Sequence, residues 1–461
     1  MANKYEESLG MQPMLPLIIR MAIPSVAAQI VNLLYSVVDR IYIGRIPEVG
    51  TTALAGIGIT ASLLALISAF AQVVGAGGAP LAAIALGGGD RVRAGRILGN
   101  GFVMLMFFAL MAMSISFFFM EPILYISGAS NATIDYARDY LSIYLIGTFF
   151  VMITAGLNSY INCQGRPQIA MCSVLLGAVL NIVLDPIFIF VFDMGVRGAA
   201  LATILSQAVS AIWILRFLTS KEASLRLEVK YMKLDFKIIG AVCAVGVSPF
   251  VMASTECLVG VTLNSTLVNF GDIYVSALTV LQSAMQIISV PLVGFTQGFI
   301  PIISYNYGHG NTARVKQGVK IIISIMFVAN MIATLFMICF PGVIARLFTT
   351  DETLIAVVIE VMPVFLTGML VFGLQRACQN IFLALGEAKI SLFIALLRKV
   401  ILLIPLVLIL SRFGYIGVYA AEAIADGTAA ILCATLFFFR FRVVIKQMEA
   451  KDAERIEQVL G

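Results

Sequence analysis

The feature that most constrains this chain is the recurrence of unbroken apolar runs, each about twenty residues long, separated by short breaks bearing Gly, Pro or charge. A helix of that length crosses the hydrocarbon of a bilayer, where only helices and closed barrels satisfy their own backbone. The runs are continuous and do not alternate in polarity, which excludes a transmembrane β-barrel. They predict twelve spans, starting near Leu15, Thr52, Gly95, Ile134, Gln168, Gly198, Ile238, Asp272, Val315, Thr353, Ile390 and Ile416. Twelve helices with short loops use up the 461 residues, so no soluble domain is expected. A content of 61% hydrophobic and 12% charged residues fits an all-α polytopic membrane protein.

The charges report orientation. With the N-terminus placed in the cytoplasm, twenty Lys and Arg fall in the tails and even-numbered connections, against five (Arg45, Arg138, Arg197, Arg346, Arg412) on the opposite side. That bias predicts both termini inside a cell inner (plasma) membrane. It also accounts for the net charge of +5 without a nucleic-acid partner. No cleavable signal is expected in "MANKYEESLGMQPMLP", which is polar and runs straight into the first span.

Sliding the chain against itself by 221 positions aligns Pro80 with Pro301, Gly87 with Gly308, Gly89 with Gly310, Arg93 with Arg314, Gly147 with Gly368 and Gly165 with Gly386. Two six-span repeats are predicted, and an even span count gives both the same orientation. The expected divisions are 1–219 and 238–440 for the two six-helix units, 220–237 for a basic linker and 441–461 for a cytoplasmic tail. The linker reads as a solvated connection, with an amphipathic segment at the membrane surface as the alternative.

Polar residues inside the spans carry the functional signal, because a carboxylate in hydrocarbon is costly and is seldom kept without use. "VLNIVLDPIFIF" places Asn181 and Asp185 at i, i+4 on one face, just before Pro186, whose missing N–H frees the carbonyl of Ile182. The first span carries Ser25, Gln29, Asn32, Ser36 and Asp39 at spacings of 4, 3, 4 and 3, one face of a helix. Thr154 with Asn158 and Thr203 with Gln207 add two more i, i+4 pairs. This set of carboxylate, amide and hydroxyl oxygens suits a hard cation or a proton-carrying network. Interhelical hydrogen bonding is the competing role for any single amide or hydroxyl, and a pair with Arg40 is the competing role for Asp39. In the second half the polar residues are Glu256, Gln282, Gln286, Gln375, Gln379, Glu422 and Asp426. Arg376, Arg398 and Lys399 are available there, so Glu422 and Asp426 either bind a ligand or pair with these cations. At the repeat offset Asn181 and Asp185 meet Leu402 and Leu406, so the acidic pocket belongs to one half.

Most enzyme chemistry lacks material. The only histidine is His309, in a Gly-rich loop, and the seven cysteines form no C-x-x-C or metal-type cluster. No cofactor is expected.

The first-span "LLYSVVDRIYIG", the loop "ALGGGDRVRAGR" and "NIVLDPIFIF", in this order within a duplicated twelve-span chain, resemble the multidrug and toxic compound extrusion (MATE) family, in its DinF-like and MepA-like bacterial branches. The resemblance implies two six-helix lobes around a central cavity, working as a monomer among membrane lipids. It also implies export of cationic, drug-like compounds in exchange for inward Na⁺ or H⁺. Coupling is then expected at Asp39, Asn158, Asn181, Asp185 and Thr203, with Na⁺, if it is the ion, at Asp39, Asn181 and Asp185. A weaker expectation places Gln29, Asn32, Ser36, Gln207, Glu256, Gln282, Gln286, Gln375, Gln379, Glu422 and Asp426 along the substrate cavity. A second-lobe cation site like that of another branch fits Glu256 but lacks its tenth-span aspartate, where this chain has Gln375 and Gln379.

Three other readings compete. A lipid-linked oligosaccharide flippase of the same superfamily predicts a strongly basic cavity. An intramembrane aspartate-dependent enzyme leaves the duplication unexplained, and a receptor or structural role leaves the buried acids idle.

Overall fold

The computed structural model describes residues 8–460. Among them there are helices and connections but no strand. The spans are α1 (Met14–Gly44), α2 (Thr52–Gly87), α3 (Arg91–Phe118), α4 (Ile134–Ile146 and Thr148–Asn162, bent by 61°), α5 (Pro167–Val191) and α6 (Gly195–Thr219) in the first half. In the second half they are α7 (Phe236–Phe270), α8 (Asp272–His309), α9 (Thr312–Cys339), α10 (Glu352–Ala384), α11 (Lys389–Phe413) and α12 (Tyr415–Ala450). All twelve begin within four residues of the starts expected from hydropathy.

The helix ends show the duplication. Asp90 caps α3 by accepting from Arg93 N at 2.8 Å, and Asn311 caps α9 by accepting from Arg314 N at 3.1 Å. One residue before each cap stands a glycine at positive φ, Gly89 (80°) and Gly310 (83°), where a side chain would be strained. The fourth span of each repeat breaks at matching glycines. The bend in α4 falls at Gly147, and α10 tightens to a 3₁₀ turn over Thr367–Val371, around Gly368. Both glycines press on the sixth span of their own repeat. A Cβ on Gly147 would lie 2.6 Å from Ile204 Cγ2, and one on Gly368 would lie 2.7 Å from Ala423 Cα. The fifth spans each loosen into a π turn but at different places, Ile187–Val191 at the end of α5 and Leu397–Leu403 in the middle of α11.

The two halves meet through α1 on α8 and α2 on α7 and α8. The close approaches lie toward the end of the bundle where α1 begins and α12 leaves, here termed the basic end. Gly298 and Gly294 of α8 abut Ala22 and Val26 of α1, and Gly77 of α2 abuts Gly246 of α7. Gly87 and Gly308 sit reciprocally on the Tyr305 and Ile84 carbonyls. The cross-half hydrogen bonds lie there as well. Asn306 Nδ2 donates to the Leu9 carbonyl at 2.9 Å, and Arg314 Nη2 donates to the carbonyls of Leu9 and Gln12 at 3.1 and 2.8 Å.

The connection between the repeats differs from a solvated linker. Leu225 N donates to Gln164 Oε1 at 2.9 Å, and Ala223, Leu225 and Leu227 are buried. The buried side chain of Asn100 on α3 accepts from Asp235 N at 2.8 Å and donates to the Lys233 carbonyl at 3.2 Å. Ala223, Leu225 and Leu227 alternate with Glu222, Ser224, Arg226 and Glu228, so one side of the strap packs while the charges stay in water. The last helix is unbroken at 440, and Val444, Ile445 and Met448 beyond it are buried.

Gly147→Val and Gly368→Val place branched side chains where no volume exists. Each is expected to destabilise its repeat by about 1–3 kcal/mol, the usual cost of overpacking. Thermal unfolding of the purified protein in detergent reads the loss, and unchanged melting would show that the breaks in α4 and α10 do not depend on these contacts.

Candidate functional site

The polar stripe of α1 is built as its spacing requires. Ser25 and Ser36 donate back to the carbonyls of Met21 and Asn32 at 3.1 and 2.9 Å, leaving the amides between them free to face inward. Gln29, Asn32 and Ser36 line a cavity of about 420 Å³ enclosed by α1, α2, α4, α5 and α6, with Val293 and Gln297 of α8 on its border. Asn158, Asn181, Thr203 and Gln207 line it from the other helices. At the side nearer the basic end, Gln29 Nε2 donates to Gln297 Oε1 at 3.0 Å, a hydrogen bond between the two repeats. Thr154 Oγ1 donates to Gln207 Oε1 at 2.6 Å. No Lys or Arg lines this cavity among the described residues.

Beyond the cavity, toward the far end, α1 and α5 bring Asp39 and Asp185 into hydrogen-bonding reach of each other. Asp185 is fully buried. Asn181 Nδ2 donates to Asp185 Oδ1 at 3.1 Å and to Thr203 Oγ1 at 3.4 Å, which ties α5 to α6. Asp39 Oδ1, Asp185 Oδ2 and Asn181 Oδ1 are buried without a hydrogen-bond partner. Three vacant oxygens on adjacent side chains suit a proton or a small hard cation. No cluster of three or more His, Cys, Asp or Glu side chains able to hold a metal occurs among the described residues, so a cation here would depend on amide and hydroxyl oxygens as well.

Asp39, Asn181, Asp185 and Thr203 therefore form one constellation. Asn158 does not join it. Its Nδ2 donates to the Ala170 carbonyl and its Oδ1 accepts from Ser173, both at 3.3 Å. Ser173 precedes Asp185 by twelve residues, about 18 Å along a helix. Asn158 thus belongs to the cavity and not to the acid pair. Three tyrosines surround the pair instead. Tyr35 lies in the field of both carboxylates, and Tyr140, beside Thr203, stacks on Tyr144 with ring centroids 6.0 Å apart. Tyr35 stands four residues before Asp39 on the same face, which was the available signal. Tyr140 and Tyr144 are themselves spaced i, i+4.

The second-half residues expected along the substrate cavity lie outside this first-half pocket. Gln282 and Gln286 are exposed on α8. Gln375 and Gln379 are buried, and Gln379 Nε2 donates to the Ser391 carbonyl at 3.2 Å. Glu422 and Asp426 pair with the cations of α11: Arg398 Nε donates to Asp426 Oδ1 at 2.6 Å and Lys399 Nζ to Glu422 Oε1 at 3.2 Å. Lys399 also reaches Glu256 at 3.5 Å. The π turn of α11 allows this, because its extra residue per turn lets the consecutive Arg398 and Lys399 both lie 6% exposed.

A duplicated twelve-span bundle whose first half encloses a polar cavity beside paired carboxylates has the build of a secondary transporter. The model of one family, MatE, matches residues 24–187 and again 249–409, once in each repeat, and the chain belongs to the MatE family. It is 24% identical over 457 residues to the multidrug export protein MepA of Staphylococcus haemolyticus (strain JCSC1435), covering 98% of each chain. Its fold is similar to a crystal structure of MATE in the bent conformation, at a TM-score of 0.90 and 22% identity, covering 97% of this chain and 99% of that one. It is also similar to an outward-facing multidrug resistance MATE family transporter of the MOP superfamily, at a TM-score of 0.89 and 22% identity, covering 96% and 98%.

The pairs of the second half are interdependent. Arg398→Gln leaves Asp426 buried without its partner and is expected to cost about 3–5 kcal/mol, most of it recovered when Asp426→Asn is added. Comparing the melting of the single and double variants in detergent checks this. Equal losses in both would mean that the ion pair is not what Arg398 contributes.

Proposed function

We propose that the chain is a multidrug exporter of the plasma membrane that trades an amphipathic, drug-like cation leaving the cell for an entering H⁺ or Na⁺. The observation that carries this reading is the Asp39–Asp185 pair, whose two vacant oxygens stand with that of Asn181 next to a cavity free of basic side chains among the described residues. The relative named MepA, a multidrug export protein over 98% of its length, supports the same reading. The basic tails and loops favour both termini in the cytoplasm. With that orientation the contacts between the repeats lie on the cytoplasmic side, and the state described is outward-open. The two repeats, 1–219 and 238–440, then act as the moving lobes of a monomer, with the strap at 220–237 holding to the first.

The mechanism is a reciprocal linkage. An ion entering from outside binds the vacant oxygens of Asp39, Asp185 and Asn181 and neutralises the pocket. It thereby favours the conformation that has released drug. Drug loading from the cytoplasm favours the other conformation, so each ligand lowers the affinity for its rival without sharing atoms with it. A flippase for lipid-linked oligosaccharides would need cations in this cavity, and none lines it among the described residues.

Asp39→Asn and Asp185→Asn are each expected to abolish gradient-driven efflux from proteoliposomes at unchanged expression. Wild-type flux in either variant would remove the acid pair from coupling. Imposing a pH gradient without Na⁺, and then a Na⁺ gradient at constant pH, identifies the driving ion, and an enzyme or scaffold would show flux under neither. Asn158→Ala should weaken drug binding several-fold while leaving the ion dependence of transport in place. A changed ion dependence in that variant would instead return Asn158 to the coupling site.

A further inference from the structure

The second repeat gathers three cations, Arg376, Arg398 and Lys399, and three carboxylates, Glu256, Glu422 and Asp426, within reach of one another's fields. The charges balance, but the contacts do not. Arg398 holds Asp426 at 2.6 Å and Glu422 at 3.8 Å, and Lys399 holds Glu422 at 3.2 Å and Glu256 at 3.5 Å. The guanidinium of Arg376 makes no ion pair and no hydrogen bond among the described residues, and its Nε is buried without a partner. The ring of Phe372 stands between the two guanidiniums, with its centroid 5.6 Å from Arg376 and 4.5 Å from Arg398. Arg376 is thus propped on an aromatic face beside a like charge, an arrangement that favours an incoming anion.

The carboxylate whose field reaches Arg376 is Glu256, and its side chain is 62% exposed in the middle of α7. A charged side chain that open at mid-span faces water and not hydrocarbon, and Arg376, half-buried, lies within reach of its field. The first-repeat cavity, lined by no Lys or Arg among the described residues, offers an anion nothing comparable.

We propose that Arg376 anchors the carboxylate of a zwitterionic substrate. The second repeat holds a subsite for the anionic arm of an amphipathic molecule whose amine lies toward Glu256. A planar carboxylate meets the guanidinium through parallel N–H···O bonds, with Arg376 donating both. This inference rests on the exporter reading and names the residue that receives the anionic arm of a carboxyl-bearing zwitterion. A phospholipid headgroup would offer a similar oxyanion, so the test must separate the two sources.

The test uses a carboxyl-bearing rhodamine zwitterion and its methyl ester, which differ in that one charge. Each is titrated by fluorescence anisotropy into the full-length protein in neutral detergent. Arg376→Gln is expected to weaken binding of the acid about tenfold or more, the worth of a charge-assisted hydrogen bond, and to leave the ester within about twofold. An acid-to-ester affinity ratio equal in wild type and R376Q overturns the proposal. If R376Q binds no ester because it fails to fold, Arg376→Lys is read in its place. It keeps the charge but not the fork, so its ratio should fall several-fold, and an unchanged ratio again overturns the proposal. Added phosphatidylglycerol should leave the acid bound to wild type, whereas displacement by this lipid assigns Arg376 to a headgroup and overturns the substrate subsite. Wild-type protein that exports the ester under an ion gradient but does not bind the acid overturns this inference alone. Wild-type protein that neither binds nor moves either dye overturns the exporter reading with it.

Discussion

A carboxylate held inside a membrane has no water to solvate it, and this chain answers that constraint in two different ways. In the second repeat Glu422 and Asp426 are matched by Arg398 and Lys399 from the neighbouring helix, so the charge is compensated within the protein. In the first repeat Asp39 and Asp185 face each other among amides and hydroxyls, with no cation in hydrogen-bond or ion-pair contact with either among the described residues and with oxygens left vacant. In the proposed mechanism, compensation there comes from a proton or a small cation that arrives and leaves. The two repeats thus treat buried carboxylates differently: one pairs them with fixed cations and the other leaves them without any.

The scaffold that carries these two chemistries is symmetric where they are not. The caps Asp90 and Asn311, the breaks at Gly147 and Gly368 and the reciprocal contacts of Gly87 and Gly308 repeat at one offset. Symmetry matters most at the basic end, where the halves touch, because a rocking motion needs equivalent surfaces on both sides of its axis. Within the lobes no such demand exists, and Asn181 and Asp185 could diverge from Leu402 and Leu406 without disturbing the contact.

The spans, the duplication and the inward faces of the polar stripes were legible in the sequence for identifiable reasons, whereas the grouping of Asp39 with Asp185, Asn181 and Thr203 came from the family resemblance. Hydropathy over about twenty residues is dictated by bilayer thickness. A glycine forced by close packing cannot drift, and an i, i+4 polar pair can face only one way. What escaped depends on relations between helices that no single-helix period encodes. Asn158 shares its type with the coupling residues, yet the rise of α5 carries Asp185 away from it. Tyr140 and Tyr144, two of the tyrosines around the acid pair, come from α4, whose orientation follows from the bend at Gly147. Arg398 and Lys399 are consecutive, which on a regular helix argues against a shared target, and only the π turn of α11 brings both inward. The strap between the repeats is polar in composition, and the buried side chains that fasten it, Asn100 and Gln164, lie far earlier in the chain.

α1 connects these features mechanically. Toward its far end it presents Asp39 to Asp185 on α5, at Gln29 it bonds Gln297 of α8, and at Ala22 it rests on Gly298. Between the last two stands Pro24, which removes one backbone hydrogen bond from the helix and makes that turn the easiest place to bend. In the proposed mechanism a charge change at Asp39 alters how α1 sits on α5, and the same helix reaches down to Gln29, about one turn from the proline. A shift at the acid pair is therefore delivered to the contact with α8, which is a contact between the two halves. The ion site and the seal need no longer-range device, because one interrupted helix belongs to both.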